Sequence, residues 1–311
     1  MRGGVVADFL LNLRMMEHVV RHPTPPFLVA SGALEVHQVP AWRDNLIWLL
    51  VDRASNTAAA VDGPPVAGDL LDYCAQQGVE LTTIFNTHTH PDHIGLNEDL
   101  AKLGRLEGLR VVGPRARADE VPGITERVGD GDEVAFSGVT GRVMLTEGHI
   151  DGHVSFVFDG VVFCGDTLFA GGCGYLFDGP PRKMHDSLTR LAALPPSTRV
   201  CCGHEYTEDN LRFAWSVDPD NADLAARIRR VWAIRADGGC TVPSAIDEER
   251  RTNPFLRPDA VRPRVAAAFP DDLLVDDASV FAATRRLKDQ KTYREAGDEA
   301  LPLAGTSGPS K

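Results

Sequence analysis

The segment "FNTHTHPDHIG", residues 85–95, places three histidines and an aspartate within six positions: His88, His90, Asp92 and His93. Imidazole nitrogens and carboxylate oxygens are the ligands that zinc and other transition metals take from proteins. Side chains two apart in extended chain share a face, so His88 and His90 can bind one ion together. Pro91 favours an extended His90, after which the chain turns. Asp92 and His93 then face a different side, and the segment predicts a site for two neighbouring metal ions.

Two adjacent dications need further ligands, and three candidates each follow a predicted strand. His149 comes after "VMLTEG", Asp166 after "VVFCG" and His204 after "VCCG". A glycine directly precedes each of them, where the backbone can turn sharply. Loops at strand ends, above a rigid sheet, are common positions for functional residues. His153 follows closely after His149, but intervening glycines argue against a helix that would align the two rings, so we expect His153 to orient a ligand rather than to be one.

Composition excludes several classes of partner. The chain has 311 residues, 43% of them hydrophobic, and a formal net charge of −12, without the basic patch that a nucleic-acid-binding protein normally shows. No apolar run reaches the roughly 18–20 residues that cross a bilayer. The six cysteines form no CxxC pair and read as reduced thiols. We therefore expect a cytoplasmic protein that acts on a small polar molecule, with no nucleic-acid or membrane partner. The sequence does not indicate the oligomeric state.

Strands and helices mix in the first two thirds of the chain, and helices dominate afterwards. Alternating or continuous apolar runs predict strands over 34–42, 45–52, 57–64, 81–87, 108–113, 138–148, 153–166 and 198–206. Helical spacing appears over 66–78, 96–104, 184–194, 208–217, 223–237 and 276–289. The pattern predicts a poorly ordered N-terminal extension (1–32), a β-rich α/β domain (33–205), a helical domain (206–296) and a flexible tail (297–311).

Several longer stretches resemble one known family. They are "THTHPDHIG" (87–95), "GDTLFAGGCG" (165–174), "LPPSTRVCCGHEYTEDNLRFA" (194–214), "NPFLR" (253–257) and "RRLKDQ" (285–290). Together they resemble the hydroxyacylglutathione hydrolase (glyoxalase II) family of the metallo-β-lactamase superfamily. The resemblance implies an α/β fold, with an αββα sandwich of the metallo-β-lactamase type over 33–205 and a smaller helical substrate-binding domain over 206–296.

The resemblance also implies how the ligands divide. One metal takes His88, His90 and His149, the second takes Asp92, His93 and His204, and Asp166 bridges the two. Two divalent ions per chain follow, with zinc favoured and iron or manganese also compatible with these ligands. The implied reaction is hydrolysis of S-2-hydroxyacylglutathione, such as S-D-lactoylglutathione. A hydroxide held by Asp166 and both metals would attack the thioester carbonyl, and a metal would face the resulting oxyanion.

Five further residues are expected to contact the substrate. Arg285 and Lys288 lie three apart on a predicted helix and share a face, and the resemblance suggests that they bind the glycine carboxylate of glutathione. Tyr206 resembles the family's substrate-contacting tyrosine. Tyr175 and Phe177 follow "GCG", where the family usually has Lys or Arg and then Tyr or Phe.

The substitution of Tyr175 for the family's cation is a departure near the expected substrate. Arg182 and Lys183 lie nearby in sequence, and we expect them to replace that charge. "TEGHIDGH" (146–153) stands where the family usually has TPGHTSGH, so Glu147, Ile150 and Asp151 are atypical.

Three alternatives remain open from the sequence. One is hydrolysis of another thioester or of a lactone on the same fold. A second is a persulfide dioxygenase with a single iron, which the complete set Asp92, His93 and His204 argues against. The third is a metal-binding protein without catalytic activity, which the presence of every expected ligand argues against.

Overall fold

Two β-sheets lie face to face in this computed structural model, which describes residues 17–303. The first sheet has seven strands, in the spatial order β1-β2-β3-β4-β5-β6-β7. β1 to β4 pair antiparallel, and β4 to β7 pair parallel. The strands are β1 (Phe27–Val29), β2 (Leu34–Ala41), β3 (Asn45–Asp52), β4 (Thr57–Val61), β5 (Glu80–Phe85), β6 (Arg110–Pro114) and β7 (Glu126–Val128).

The second sheet has six strands, in the order β15-β14-β11-β10-β9-β8. Only β11 and β14 pair in parallel within it. β12 and β13 form a separate two-stranded ribbon. The bounds are β8 (Glu133–Phe136), β9 (Val139–Leu145), β10 (Val154–Phe158), β11 (Val161–Gly165), β12 (Leu168–Phe169), β13 (Gly172–Cys173), β14 (Arg199–Cys202) and β15 (Ser244–Ala245).

Three helices accompany the sheets, and five follow β14. The first group is α1 (Ala67–Gln77), α2 (Pro91–Lys102) and α3 (Pro181–Ala192). The second group is α4 (Thr207–Val217), α5 (Ala222–Ala236), α6 (Ile246–Thr252), α7 (Pro258–Ala268) and α8 (Asp277–Asp289). Within residues 17–303, no helix is long and apolar enough to cross a membrane.

Strand β3 shows why a layered sandwich forms. Its side chains alternate between two cores, because successive residues of a strand point to opposite faces. Leu46, Trp48 and Leu50 enter the core between the sheets. The residues in between enter the core beneath α1 and α2. Met184 and Leu188 of α3 join the core between the sheets, which continues into the helical region. The predicted αββα sandwich with a C-terminal helical domain is confirmed.

The start of α2 differs from its prediction. The helix begins at Pro91, not at residue 96, because proline suits the first position of a helix, where its missing N–H is not needed. His90 is extended, with φ −66° and ψ 146°, as Pro91 predicted. Asp92 and His93 therefore lie in the first turn of α2 and not in a loop. Asp92 also places its negative charge at the positive end of the helix dipole.

Residues 17–32 and 297–303 are better ordered than the sequence suggested. Residues 17–32 were predicted to belong to a poorly ordered extension, yet β1 pairs with β2 and the Val19 N–H donates to the Arg43 carbonyl at 2.7 Å. The tail was predicted to start at residue 297. Instead the Trp215 indole N–H donates to the Ala300 carbonyl at 2.9 Å, and Leu301 packs against α4 and α5. Residues 1–16 and 304–311 lie outside the described residues.

A buried ion pair joins α5 to α6. Arg227 is only 2% exposed, and its Nη2 lies 2.6 Å from Oε1 of the fully buried Glu249. The other oxygen of Glu249 accepts from the Gly171 backbone N–H at 2.9 Å and from the Asn253 amide at 3.0 Å. Asn253 also donates to the Gly172 carbonyl at 2.9 Å. The helical region thus fixes the chain between β12 and β13.

We expect Glu249→Ala to destabilise the protein strongly, by about 3–5 kcal/mol, because the closest counter-charge of the buried Arg227 would be lost and only Glu248, 3.5 Å from its Nε, would remain. Arg251→Ala is a matched control: Arg251 is 47% exposed, and its pairs with Asp223 and Asp247 lie at the surface. Such pairs contribute at most about 1 kcal/mol. Equal shifts of the two variants in urea unfolding curves would contradict the prediction.

Candidate metal centre

All seven predicted ligand residues meet at one end of the sandwich. Three imidazoles form one set, in which the ligand atoms lie within 4.8 Å of one another: His88, His90 and His149. A second set meets the same limit and consists of Asp92, His93 and His204. The strands place them there, because β5 ends three residues before His88, β11 directly before Asp166 and β14 two residues before His204. Both sheets therefore contribute to the centre.

In the first set, one nitrogen of each ring points toward a common position, and these nitrogens lie close together. Nδ1 of His90 is 3.1 Å from Nε2 of His88 and 2.9 Å from Nε2 of His149. The Tyr175 carbonyl accepts from Nδ1–H of His149 at 2.7 Å, which leaves Nε2 with its lone pair. Tetrahedral zinc, at about 2.0–2.1 Å from each nitrogen, places two such nitrogens about 3.3 Å apart. The spacing suits a shared metal.

The second set combines one carboxylate with two imidazoles. Oδ2 of Asp92 lies 3.3 Å from Nε2 of His204 and 3.6 Å from Nε2 of His93. Each ring is oriented through its other nitrogen. Nδ1–H of His204 donates to Asp44 at 2.9 Å, and Nδ1–H of His93 donates to Asp62 at 3.0 Å. The Nε2 atoms of both rings consequently face the same region of space, where a metal would displace any proton that they carry.

Asp166 lies between the two sets. Its Oδ1 is 3.4 Å from Nε2 of His93, and its Oδ2 is 3.6 Å from Nε2 of His149 and 3.5 Å from Nε2 of His204. The Asp166 backbone N–H donates to Nε2 of His153 at 3.2 Å, which helps to fix the residue. The ring of His153 also stacks on that of His88, with centroids 4.7 Å apart. His153 thus has the orienting position expected from its sequence context.

Asp62 is a functional residue that the sequence did not reveal. Its Oδ2 accepts from Nδ1–H of His93 and, at 2.7 Å, from the Thr87 hydroxyl. Thr87 Oγ1 in turn lies 3.0 Å from Nδ1 of His88 and accepts its proton. One buried carboxylate thereby orients a ring in each set, as such partners do in metal sites. A polar residue directly after the apolar strand β4 was the available signal.

The glycines before the ligands act in two ways. Gly148 and Gly165 have positive φ, +131° and +47°, as the predicted sharp turns require. Gly203 instead provides space, because a Cβ there would lie 2.7 Å from Oδ1 of Asp166. Gly174 does the same from the ribbon side: its Cβ would lie 2.0 Å from the Asp166 carbonyl oxygen and 3.0 Å from Nδ1 of His149.

Burial and charge decide the protonation of the rings. Burial lowers the pKa of His88, His90 and His149, which favours the neutral imidazole that binds a metal. Burial alone would also lower the pKa of His93. The carboxylates of Asp166, Asp92 and Asp62 outweigh it and raise the pKa of His93 to about 10.

The donor set fits a metal ion. Among the described residues, Nε2 of His93 and Oδ1 of Asp166 are buried side-chain atoms without a hydrogen-bond partner. Leaving such atoms unpaired is costly, and coordination to a cation would satisfy both. Imidazole and carboxylate donors of this kind suit zinc and related transition metals.

The three predicted aromatic contacts lie on the exposed side of the centre. Tyr175 is 52% exposed and Phe177 is 59% exposed, unusual values for large aromatic side chains. The Phe177 ring packs against His90 and His149, each at 5.2 Å between centroids. The ring of Tyr206 stacks on His204 at 4.7 Å. The three aromatic side chains thus line the solvent-facing side of the metal centre.

The two predicted carboxylate-binding cations lie together on α8 beneath the ribbon. Arg285 and Lys288 are both buried. Nη1 of Arg285 donates to the Cys173 carbonyl at 3.2 Å, and Lys288 donates to Oδ1 of Asn210. The rings of Phe213 and Phe255 lie under the ammonium group of Lys288, at 5.7 and 5.9 Å.

Arg182 and Lys183 already have carboxylate partners. Arg182 pairs with Asp276, and Nζ of Lys183 lies 2.6 Å from Asp151 and 3.5 Å from Glu147. The atypical acids of "TEGHIDGH" are thus explained as partners of Lys183. These pairs do not favour the expectation that Arg182 and Lys183 replace the missing cation at position 175.

Gly174→Ala should remove metal from the protein, because its methyl group cannot share space with the Asp166 carbonyl and His149. Gly68→Ala, on α1, is the control: a Cβ there meets nothing within 4 Å. It should leave metal content unchanged and raise stability by up to about 1 kcal/mol. Metal analysis of both purified variants checks this, and full metal content in Gly174→Ala would refute it.

Metal binding should release protons near pH 7. His93, with its pKa raised to about 10, carries a proton at pH 7 that a metal must displace. Metal affinity should therefore rise with pH up to about 10, by tenfold per unit for each proton displaced. Calorimetry of zinc binding in two buffers of different ionisation enthalpy gives the proton count, which should be at least one. His185→Gln, outside the centre, should give the same count. A count of zero would be inconsistent with this charge distribution.

Two family models match the chain in succession. The model of the metallo-beta-lactamase superfamily matches residues 48–204, and that of the hydroxyacylglutathione hydrolase C-terminus matches residues 205–291. Among solved structures, ETHE1 from Myxococcus xanthus aligns with a TM-score of 0.51 at 22% identity, over 85% of this chain and 97% of that one. The BLEG-1 B3 metallo-beta-lactamase aligns with a TM-score of 0.51 at 18% identity, over 68% and 94%. Both show the fold alone.

Closer relatives cover almost the whole folded region. The hydroxyacylglutathione hydrolase of Synechococcus sp. (strain JA-3-3Ab) is 49% identical over 259 residues, which are 83% of this chain and 100% of the relative. The protein of the same name from Methylococcus capsulatus is 44% identical over 258 residues, 82% of this chain and 98% of the relative. The chain belongs to the hydroxyacylglutathione hydrolase family of the metallo-β-lactamase superfamily.

Proposed function

We propose that this protein is a two-metal thioesterase that hydrolyses S-2-hydroxyacylglutathione to a 2-hydroxy acid and glutathione. The observation that carries the proposal is the position of Asp166, whose two oxygens lie within 3.4–3.6 Å of ring nitrogens from both ligand sets. The names of the relatives supply the substrate class.

Each ligand set would hold one divalent ion, with Asp166 between them. His88, His90 and His149 would bind the first, and Asp92, His93 and His204 the second. Zinc is the ion that we propose, while iron and manganese also match these donors. When bound, such ions lower the pKa of water and polarise a carbonyl oxygen.

The chain's own residues prepare the site for a thioester. Phe177 and Tyr206 cover opposite ligand rings, so an acyl group between them would be shielded from bulk water. Asp166 would hold the attacking water by accepting one of its protons in a hydrogen bond. The departing group is a thiolate, a good leaving group, and the proposal therefore assigns no general acid.

A surface cleft of about 680 Å³, within the range of small-molecule sites, includes Arg285 in its lining. Leu176, Pro181 and Leu274 contribute to its wall. The wall also contains the acids Asp271, Asp272 and Asp289, whereas Lys288 lies behind it. Leu176 lies between Tyr175 and Phe177 in the chain, so the cleft begins beside these aromatic side chains. We propose that glutathione follows this path and that its glycine carboxylate binds Arg285 and Lys288.

Electrostatics supports a bound anion there. Burial, followed by the charge of Arg285, lowers the pKa of Lys288 to about 7. Two neighbouring buried cations disfavour each other. Arg285 already pairs with Asp289 at 2.6 Å, but Lys288 has no carboxylate partner among the described residues, so a substrate carboxylate beside Lys288 would relieve this repulsion. Lys288 would then regain its proton when the substrate binds.

The alternative of a single-iron persulfide dioxygenase has less support. The second ligand set is complete, and His204 and His93 are each oriented by a separate carboxylate, an arrangement that a one-metal site would not need. Hydrolysis of another thioester or of a lactone is compatible with the same centre. It would become the better proposal if glutathione were not the preferred carrier.

Hydrolysis of S-D-lactoylglutathione, with metal content measured on the same sample, tests the proposal. Turnover at two metals per chain is the expected result. Two metals without turnover would remove the proposed substrate but keep the centre, and a panel of thioesters and lactones would follow. Oxygen consumption with glutathione persulfide would instead favour the dioxygenase.

Lys288→Gln should raise KM for the glutathione thioester by about tenfold and leave kcat nearly unchanged, because it removes a binding charge remote from the reacting carbon. KM of the unaltered protein should rise as pH increases through 7, since Lys288 then loses its proton, and the variant should lack this rise. Lys291→Gln, on the exposed turn after α8, is the control. With a thioester that lacks the glycine carboxylate, the unaltered protein and both variants should have the same KM. A higher KM of Lys288→Gln for that substrate would contradict the role of Lys288 in carboxylate binding.

A further inference from the structure

The turn between β2 and β3 lies directly beside the second ligand set. Oδ1 of Asp44 accepts from Nδ1–H of His204 at 2.9 Å. This bond fixes the ring, so that Nε2 faces Oδ2 of Asp92 at 3.3 Å. A histidine ligand whose other nitrogen is held in this way keeps both its tautomer and its direction.

The next residue restrains the carboxylate of the same set. Nδ2 of the buried Asn45 donates to Oδ2 of Asp92 at 3.0 Å. This is the oxygen that lies closest to His204. Two adjacent residues, one an acceptor and one a donor, therefore orient two of the three ligands of one metal.

The first set has different supports. His88 is oriented by Thr87, and His149 is oriented by the Tyr175 carbonyl. Neither bond involves the turn. A change in the turn should consequently affect one metal and spare the other.

The backbone ties the turn to the end of β14. The Leu46 N–H donates to the Gly203 carbonyl at 2.8 Å, and the Glu205 N–H donates to the Asp44 carbonyl at 3.0 Å. These bonds flank His204 on both sides. The backbone around Asp44 is thus bonded to the two residues next to His204, which keeps the Asp44 side chain in place beside the ring that it orients.

The N-terminal segment, residues 18–22, packs against the turn between β2 and β3. The Val20 N–H donates to Nδ1 of His18 at 2.8 Å, so Nε2 of His18 carries the proton and donates it to the Asn45 carbonyl at 3.0 Å. Arg235 of α5 donates to the Val19 carbonyl at 2.7 Å and anchors the segment to the helical region.

We propose that Asp44 and Asn45 are positioning residues for His204 and Asp92, and that the N-terminal segment locks them in place. The inference rests on the two-metal function proposed above. According to this inference, Asp44, Asn45 and residues 18–22 control how tightly the second ligand set holds its metal, although none of them is a ligand.

Metal retention tests this without reference to activity. Protein loaded with two equivalents of zinc is dialysed against increasing chelator, and the zinc per chain is measured. Asp44→Ala and Asn45→Ala should lose one zinc per chain at a free chelator concentration about 10–100-fold lower than the unaltered protein needs for the same loss. Both variants should keep the other zinc as the unaltered protein does. Asp44→Asn should recover most of the loss, because its amide oxygen still accepts from His204. Asp52→Ala, at the opposite end of β3, should behave like the unaltered protein.

Three outcomes separate the possibilities. Unchanged retention in Asp44→Ala and Asn45→Ala, or equal loss of both equivalents, would overturn the inference. His18→Ala leaves the ligand sets untouched and can be measured if the other variants do not fold. Loss of one zinc at a lower chelator concentration would support the role of the N-terminal segment. Unchanged zinc retention would overturn it. If the unaltered protein itself holds only one equivalent, the proposed two-metal function fails instead.

Discussion

The structure depends on one constraint: several ring nitrogens must present lone pairs to the same small volume while buried. Nothing among the rings makes that favourable in itself: lone pairs do not attract one another, and the proton on His93 must be displaced before its Nε2 can bind a metal. The chain meets the constraint by binding the opposite nitrogen of His88, His93, His149 and His204 to a separate partner. Each partner lies in a connection after a different strand, so the geometry of the centre is a property of the whole sandwich.

Asp62 and Asp166 show how the two sheets share this task. Asp62 directly follows β4 of the first sheet and orients His93 directly and His88 through Thr87. Asp166 directly follows β11 of the second sheet and faces rings from both ligand sets. A shift of one sheet relative to the other would separate Asp166 from His93. The apolar core between the sheets therefore acts as the spacer that sets the ligand distances, and Trp48 and Phe156 matter to the centre without touching it.

Much of this was predictable from local signals. The motif around His88 and Pro91 indicated the ligands, and the glycines before Asp166 and His204 indicated the strand ends. The orienting residues were not predictable, because Asp44 and Asp62 meet their rings only after β2, β4 and β14 have packed. The start of α2 was placed too late because His93 was interpreted as part of a loop. The helix α7 was missed because Pro258 and Pro263 both suggest a break in the chain. Residues 17–32 have no periodic pattern, and only their contacts show that they are ordered.

The Gly171–Gly174 segment belongs to both parts of the molecule at once. Glu249 and Asn253 hold its backbone from the helical side, Arg285 binds its Cys173 carbonyl, and Gly174 touches Asp166 and His149. A helical domain transplanted onto another sandwich would lose these contacts unless residues 168–174 were transferred with it. The ribbon and the late helices are thus one structural unit, although more than thirty residues of the sandwich separate them in the sequence.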